Sequence, residues 1–190
     1  MKISKRTWLV FGVAAIILGC LLGILWRRQP RALAVGSRAP DFTLQKVSEG
    51  AFSFKDAGHR VTLINFWATW CPPCVMETPS LERFAKEMQP LGVRVIGVSV
   101  DQNPQALQQF VTDHNLTYAI LRDPNQSLAG RFGTYKFPET YIFDRNGRLA
   151  SKIIGATDWD SPQMIEFVKA LVHWPPASGA VPKPAAAGNW

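Results

Sequence analysis

Hydrophobic and polar positions divide the chain into stretches of three kinds. The first is a single run from Trp8 to Trp26 (WLVFGVAAIILGCLLGILW), with no charged residue and no polar stripe. As a helix it would be roughly 28 Å long, the thickness of a bilayer's hydrocarbon core. The second kind is the near-continuous apolar run rich in β-branched residues. Val61–Trp67 (VTLINFW) and Val93–Val100 (VRVIGVSV) are of this kind and predict strands buried on both faces. The third kind carries apolar residues at helical spacing. Leu81, Phe84, Ala85 and Met88 predict a helix over Pro73–Met88, and Ala106, Leu107, Phe110 and Val111 predict one over Pro104–His114.

Shorter signals complete the pattern. Asp41–Leu44 and Phe52–Phe54 predict a leading hairpin, Tyr118–Leu121 a strand, and Gln126–Phe132 a short helix. Thr140–Phe143 and Leu149–Ile154 predict strands joined through Asn146 and Gly147, a pair that supplies the positive φ angles of a two-residue antiparallel hairpin. Ser161 is positioned to cap a last helix ending near Val172. Strands that alternate with helices and then close with a hairpin and a helix predict an α/β fold. Its centre is a mixed β-sheet flanked by helices.

This pattern divides the chain into an N-terminal membrane anchor over 1–26, a linker over 27–34, a folded domain over 35–173 and a tail over 174–190. The tail is rich in Pro, Ala and Gly and cannot bury enough apolar surface to offset its ordering entropy, which predicts disorder. The N-terminal run has three readings. An uncleaved transmembrane helix suits its length and the Trp residues at its two ends, where aromatic rings prefer the membrane interface. A cleaved signal peptide would use Ala32-Leu33-Ala34, although the run exceeds an ordinary signal core and Arg27, Arg28 and Arg31 intervene. A lipoprotein signal would use Leu18-Gly19-Cys20, although the apolar run continues beyond Cys20.

Charge removes one class of function. The chain of 190 residues has a net charge of +7, but residues 1–31 hold six of the basic side chains and no acid, which leaves the remainder at +1. A nearly neutral body offers no electrostatic footprint for nucleic acid. The three cysteines are too few for a disulfide-stapled scaffold. No glycine-rich phosphate loop and no flavin or nicotinamide motif is present, so no cofactor is expected. His59, His114 and His173 are scattered singly, and with no second cysteine pair no metal site is expected.

The chemistry concentrates in Trp70-Cys71-Pro72-Pro73-Cys74, which follows a predicted strand and opens a predicted helix. A helix N-terminus presents free N–H groups and a partial positive charge, both of which favour a thiolate. Cys71 would stand just before the first turn with its sulfur exposed, as the attacking nucleophile. Cys74 would lie one turn on, shielded, as the resolving thiol. Pro72 and Pro73 have no N–H to offer the thiolate but rigidify the turn and suit the first helical positions. A structural zinc site lacks its other ligands, and a purely structural disulfide would close too small a loop to stabilise much. A peroxidatic cysteine would want Thr or Ser three residues before Cys71, where Ala68 stands.

Four stretches carry a family resemblance: Gly36–Leu44 (GSRAPDFTL), Asn65–Cys74 (NFWATWCPPC), Glu77–Pro79 (ETP) and Phe137–Asp144 (FPETYIFD). With them, residues 35–172 resemble the thioredoxin superfamily in its TlpA/ResA/CcmG-like branch of membrane-tethered thiol–disulfide oxidoreductases. The resemblance implies a thioredoxin-like fold with a redox-active Cys71–Cys74 disulfide. It implies that Pro138 is a cis-proline facing the cysteines and that the backbone at Phe137 pairs with an extended client. Trp70, Pro72, Pro73 and Glu139 would line the client's path. Glu77 matches the acid such proteins carry beside the redox helix, where it would move a proton to or from Cys74. Asn65 stands where ordinary thioredoxins hold a buried Asp, and it cannot titrate.

The resemblance also implies a setting. The domain would lie in a bacterial periplasm, held to the inner membrane by a single span. Clients would be protein disulfides, those of apocytochrome c first. A membrane electron carrier of the DsbD or CcdA type would supply electrons. Two other readings of the dithiol stay open at this point, a disulfide-forming oxidase or isomerase and a copper(I) metallochaperone.

Overall fold

The computed structural model describes residues 16–21, 23 and 33–174. The chain divides into two units, Met1–Arg31 and Ala32–Trp190. In the first, residues 16–21 are helical, with Ile16, Ile17, Leu18 and Leu21 exposed. No helix among the described residues is long and apolar enough to cross a membrane. The rest of the expected 8–26 span lies outside the described residues, as does the tail from 175 onward.

In the second unit a short hairpin, β1 (Thr43–Gln45) and β2 (Ala51–Ser53), precedes the main sheet. Then come β3 (Thr62–Trp67), α1 (Pro72–Met88), β4 (Arg94–Ser99), α2 (Pro104–Asp113), β5 (Ala119–Arg122) and α3 (Ser127–Phe132). The chain closes with β6 (Glu139–Phe143), β7 (Leu149–Ile154) and α4 (Pro162–His173). The five-stranded sheet runs β5-β4-β3-β6-β7. Strands β3, β4 and β5 are parallel, and β6 and β7 are antiparallel additions. The sheet is therefore mixed, as the alternation of patterns predicts. The body begins slightly before residue 35, because Leu33 donates its N–H to the Phe132 carbonyl at 3.2 Å and packs on the core.

All six residues of β3 are buried, which is what a central strand covered on both faces requires. Successive side chains point to opposite faces. Leu63 joins Leu81, Phe84 and Met88 of α1 and Val168 and Leu171 of α4. Ile64 and Phe66 join Leu107 of α2, Phe132 of α3 and the hairpin residues Phe42 and Phe52. Asn65 shares the face of Leu63, and in the register with β6 it stands opposite Thr140. The same parity sends Glu139, Tyr141 and Phe143 to the face of Phe66. Asn65 and Glu139 therefore face opposite sides of the sheet.

Two local expectations are corrected. The β6–β7 connection is not a two-residue hairpin, because only Gly147 takes a positive φ (69°), not Asn146. The Gly147 N–H donates to the Asp144 carbonyl at 3.0 Å and the Asp144 N–H donates to the Arg148 carbonyl at 2.9 Å. This is a three-residue loop whose last residue is left-handed. The Asp144 carboxylate supports it by accepting the N–H groups of Asn146 and Arg148. Ser161 does stand at the N-cap of α4, but its side chain makes no cap hydrogen bond. Its carbonyl accepts the N–H groups of Met164 and Ile165 instead.

Gly97, in the middle of β4, marks a site of close packing beside the central strand. A Cβ there would meet Ile120 Cδ1 at 2.8 Å and Trp67 Nε1 at 2.9 Å. Gly97→Ala should therefore overpack the core and destabilise the domain by about 1–3 kcal/mol. A urea midpoint that does not fall would show that the two side chains can move aside.

Candidate active site

The site is built at the junction of β3 and α1. The chain leaves β3 through Ala68, Thr69 and Trp70 and enters α1 with Cys71 as N-cap, extended at φ −98° and ψ 104°. The Cys71 N–H donates to the Ala68 carbonyl at 3.3 Å, and its carbonyl accepts the first intrahelical bond from Val75 at 3.1 Å. Pro72 and Pro73 occupy the first two helical positions, where a missing N–H costs nothing. One turn apart on this frame, Cys71 and Cys74 form a disulfide with a Cα separation of 5.3 Å.

Cys71 is not exposed as its position at the helix end predicts. It is 5% accessible, against 1% for Cys74. Bonded to Cys74, it belongs to the apolar cluster of Trp67, Ala68 and Val100, on which Phe137 packs. It remains the more accessible residue of the two. Trp70 is 63% exposed, and its ring meets Phe137 edge-on with centroids 6.2 Å apart. The Phe137–Pro138 peptide bond is cis. Pro72 is exposed and Pro73 half-buried, while Trp67 lies in the core. Met76, not among the sequence candidates, is 72% exposed four residues after Pro72 and so shares its helix face.

The turn that presents Cys71 is held from the neighbouring strand. Asp101, just beyond β4, accepts the Thr69 N–H at 3.0 Å, the Thr69 hydroxyl at 2.6 Å and the Ser99 hydroxyl at 2.7 Å. Sequence reading missed Asp101. Its signal was available, since a lone acid ending a buried strand needs partners and the parallel neighbour of β3 ends beside the site.

Glu77 lies three residues after Cys74, on the same side of α1, and is almost completely buried. Asn65 Nδ2 donates to its Oε1 at 2.8 Å and also to the Thr140 hydroxyl at 2.9 Å. Its Oε2 accepts the Thr157 N–H and the Trp159 indole N–H, both at 3.1 Å. Burial raises its pKa from 4.5 to about 7, against the opposing effect of the bonds from Trp159, Asn65 and Thr157. A carboxyl group in this state exchanges protons near neutrality. Asn65, which cannot itself titrate, holds the group that does.

Glu139 is fully buried on the other face of the sheet. Its carboxylate pairs with Lys152 at 3.1 Å and accepts the Tyr141 hydroxyl at 3.1 Å. In this state its side chain presents no surface to a client. The structure therefore brings together Cys71, Cys74, Trp70 and Phe137 at one rim and places Glu77 within the same helix. It sets Glu139 apart in a buried ion pair. Tyr141 shares the Glu139 face as the next residue but one in β6, whereas Lys152 was invisible in the sequence, because only the β6–β7 register sets it opposite Tyr141 and within reach of Glu139.

A dithiol pair in its disulfide form, at the first turn of the helix that follows the central strand of a mixed sheet, defines a thiol–disulfide oxidoreductase of thioredoxin-like fold. Residues 35–152 match the AhpC/TSA family, and the chain belongs to that family. It is similar to the thiol-disulfide oxidoreductase ResA of Geobacillus thermodenitrificans, 32% identical over 139 residues covering 73% of this chain and 80% of the relative. ResA of Oceanobacillus iheyensis is 28% identical over 162 residues, 83% of each chain. Among solved structures, a secreted thiol-disulfide isomerase from Corynebacterium glutamicum is 27% identical with a TM-score of 0.64, over 70% of this chain and 84% of that one. The thioredoxin domain of a thiol-disulfide oxidoreductase from Bacteroides vulgatus shares the fold at a TM-score of 0.65 and 22% identity, over 74% and 99%.

Glu77 also leaves a signature in stability. In the unfolded chain it ionises near 4.5, in the folded one near 7, so the fold loses stability relative to a non-titrating variant as pH rises through that window. Glu77→Gln should gain about 3 kcal/mol on the wild type between about pH 4.5 and pH 7, and nothing more above it. Urea melts of both proteins across this range check the sign. Parallel stability curves would mean that Glu77 titrates normally.

Proposed function

We propose that this protein reduces disulfides in client proteins on the outer side of a bacterial inner membrane, to which its N-terminal segment tethers it. The observation that carries the reading is the Cys71–Cys74 pair, set at a helix N-terminus in the same helix as a buried carboxyl group that titrates near neutrality. The chemistry starts from the dithiol. The Cys71 thiolate attacks one sulfur of the client disulfide, and the other client sulfur leaves as a thiolate and takes a proton. A mixed disulfide now joins Cys71 to the client. Cys74 gives its proton to Glu77 and attacks the Cys71 sulfur, which releases the second client thiol. Two electrons have passed to the client, and the protein is left in the Cys71–Cys74 disulfide form.

Each rim residue has a part in this scheme. Trp70 and Phe137 form an aromatic edge beside the reacting sulfurs, and Pro72 extends it. The backbone at Phe137, ahead of cis-Pro138, offers an extended client a strand partner, as the family resemblance implies. Pro73 stiffens the turn. Glu139 acts from beneath as part of the frame around Pro138. Re-reduction requires an external dithiol, which a membrane carrier of the DsbD or CcdA type would supply. Haem-attachment cysteines of apocytochrome c are the clients assigned first, in line with the resemblance to ResA-like proteins. The uncharged run from Trp8 to Trp26 supports the tether.

Trapping tests the order of attack. Cys74→Ser should accumulate mixed disulfides through Cys71, whereas Cys71→Ser should trap few, and equal trapping would remove the assignment of roles. The direction is tested by the reduction potential of the pair, equilibrated against a reference thiol couple. A value near or below about −230 mV fits a reductant, and one near about −120 mV would make the protein a disulfide-forming oxidant.

A further inference from the structure

The segment between β7 and α4 lies across α1 and is fastened to it at several points. Its Thr157 N–H and Trp159 indole N–H both donate to Glu77 Oε2. The Trp159 backbone N–H donates to the Ser80 hydroxyl at 3.3 Å, and that hydroxyl is shared between the Glu77 carbonyl at 2.9 Å and the Thr157 carbonyl at 3.4 Å. Asp160 pairs with Arg83 one turn further along α1. Trp159 has no accessible surface and packs on Phe84 with ring centroids 5.9 Å apart. An indole inserted this deeply needs a partner for its N–H, and Glu77 is that partner.

The two oxygens of Glu77 differ in consequence. Oε2 faces an indole N–H and a peptide N–H, groups that donate and never accept. A proton on Oε2 would point at a donor, so this oxygen serves only as an acceptor. Oε1 accepts a single N–H, from Asn65 Nδ2, against two on Oε2, so it is the oxygen with the second lone pair left to take and release a proton. Both donors on Oε2 stabilise the ionised carboxylate more than the acid.

We propose that Trp159 is a positioning residue for the redox site: its indole N–H holds Oε2 of Glu77 and thereby sets the proton affinity and orientation of that carboxyl group. This rests on the reading of Glu77 as the base for Cys74. The bonds from Asn65 and the Thr157 backbone act on Glu77 in the same direction, and that from Trp159 is the strongest of the three. Asn65 and Thr140, from β3 and β6, do not titrate. Tyr118, ahead of β5, feels the charges of Glu77 and Glu82, and burial pushes its phenol above its ordinary range. Asp158 is raised by its hydrogen bond with Asp160, and Asp160 is lowered by Arg83, both at the exposed rim of the segment.

The test uses the reduced full-length protein in detergent, with the Glu77 side-chain carboxyl and the tryptophan indole groups followed by NMR against pH. In the wild type, the Trp159 indole resonance should titrate with the Glu77 carboxyl midpoint and lose that dependence in Glu77→Gln. Trp159→Phe keeps a ring in the core and removes the donor. Its Glu77 midpoint should rise by about one pH unit, and the pH profile of client disulfide reduction should move with it, about tenfold slower on the acid limb, at unchanged KM. A Glu77 midpoint that stays in place in folded Trp159→Phe overturns the proposal. Should that variant not fold, the wild-type indole resonance decides alone, and independence from Glu77 overturns it. A midpoint that moves while the reduction profile does not would uphold Trp159 and remove Glu77 as the base.

Discussion

A carboxyl group taken out of water beside a disulfide is the constraint around which this structure is arranged. Burying Glu77 alone would cost several kcal/mol, and the cost is limited only if its oxygens find donors. The three donors come from two parts of the chain: the central strand through Asn65, and the β7–α4 segment through the Thr157 backbone and the Trp159 indole. Two of these donor side chains are themselves committed elsewhere. Asn65 also reaches Thr140, and Trp159 fills the core against Phe84. The strand, the helix and the closing segment are thus tied to one another through a single side chain. The residual imbalance between desolvation and these bonds is what places Glu77 near neutrality, where proton transfer to and from a thiol is useful.

Strand parity divides the polar interior into two separate networks. On one face of the β3–β6 pair stand Asn65, Thr140 and Glu77. On the other stand Glu139, Tyr141 and Lys152. Two buried carboxylates flank the same pair of strands, and one has a cation for a partner while the other has only neutral donors. That difference gives them different chemistry. Lys152 ties Glu139 into a structural pair, whereas Glu77 has no cation beside it and its burial favours the protonated form. The Asp101 bonds to Thr69 form a third polar anchor, which fixes the turn carrying Trp70 and Cys71. The reacting sulfurs thus sit in an apolar cluster, with polar support placed outside it.

Most of the secondary structure was legible along the chain because each main element has a one-dimensional signature. The buried runs at 61–67 and 93–100 could only be central strands, and the spacing of Leu81, Phe84 and Met88 could only suit a helix face. Glu77 was legible by its place after Cys74. The errors have local physical reasons. Asn146-Gly147 suits a two-residue turn, but the Asp144 carboxylate bonds the following N–H groups and favours a three-residue loop instead. Cys71 reads as exposed from its place at a helix end, but bonded to Cys74 it lies within the apolar core cluster and is almost completely buried.

The sequence by itself determined the order of strands and helices, the Cys-Pro-Pro-Cys pair at the opening of a helix, and the concentration of positive charge in the N-terminal segment. These depend on neighbours along the chain, through periodicity, backbone preference and spacing. Only the tertiary structure decided which polar residues hold which. Trp159 lies 82 residues from Glu77 and Thr140 lies 75 from Asn65. Such pairings depend on register, strand parity and the path of one closing segment. No local pattern encodes them, because a donor and its acceptor need be compatible only where the fold brings them together.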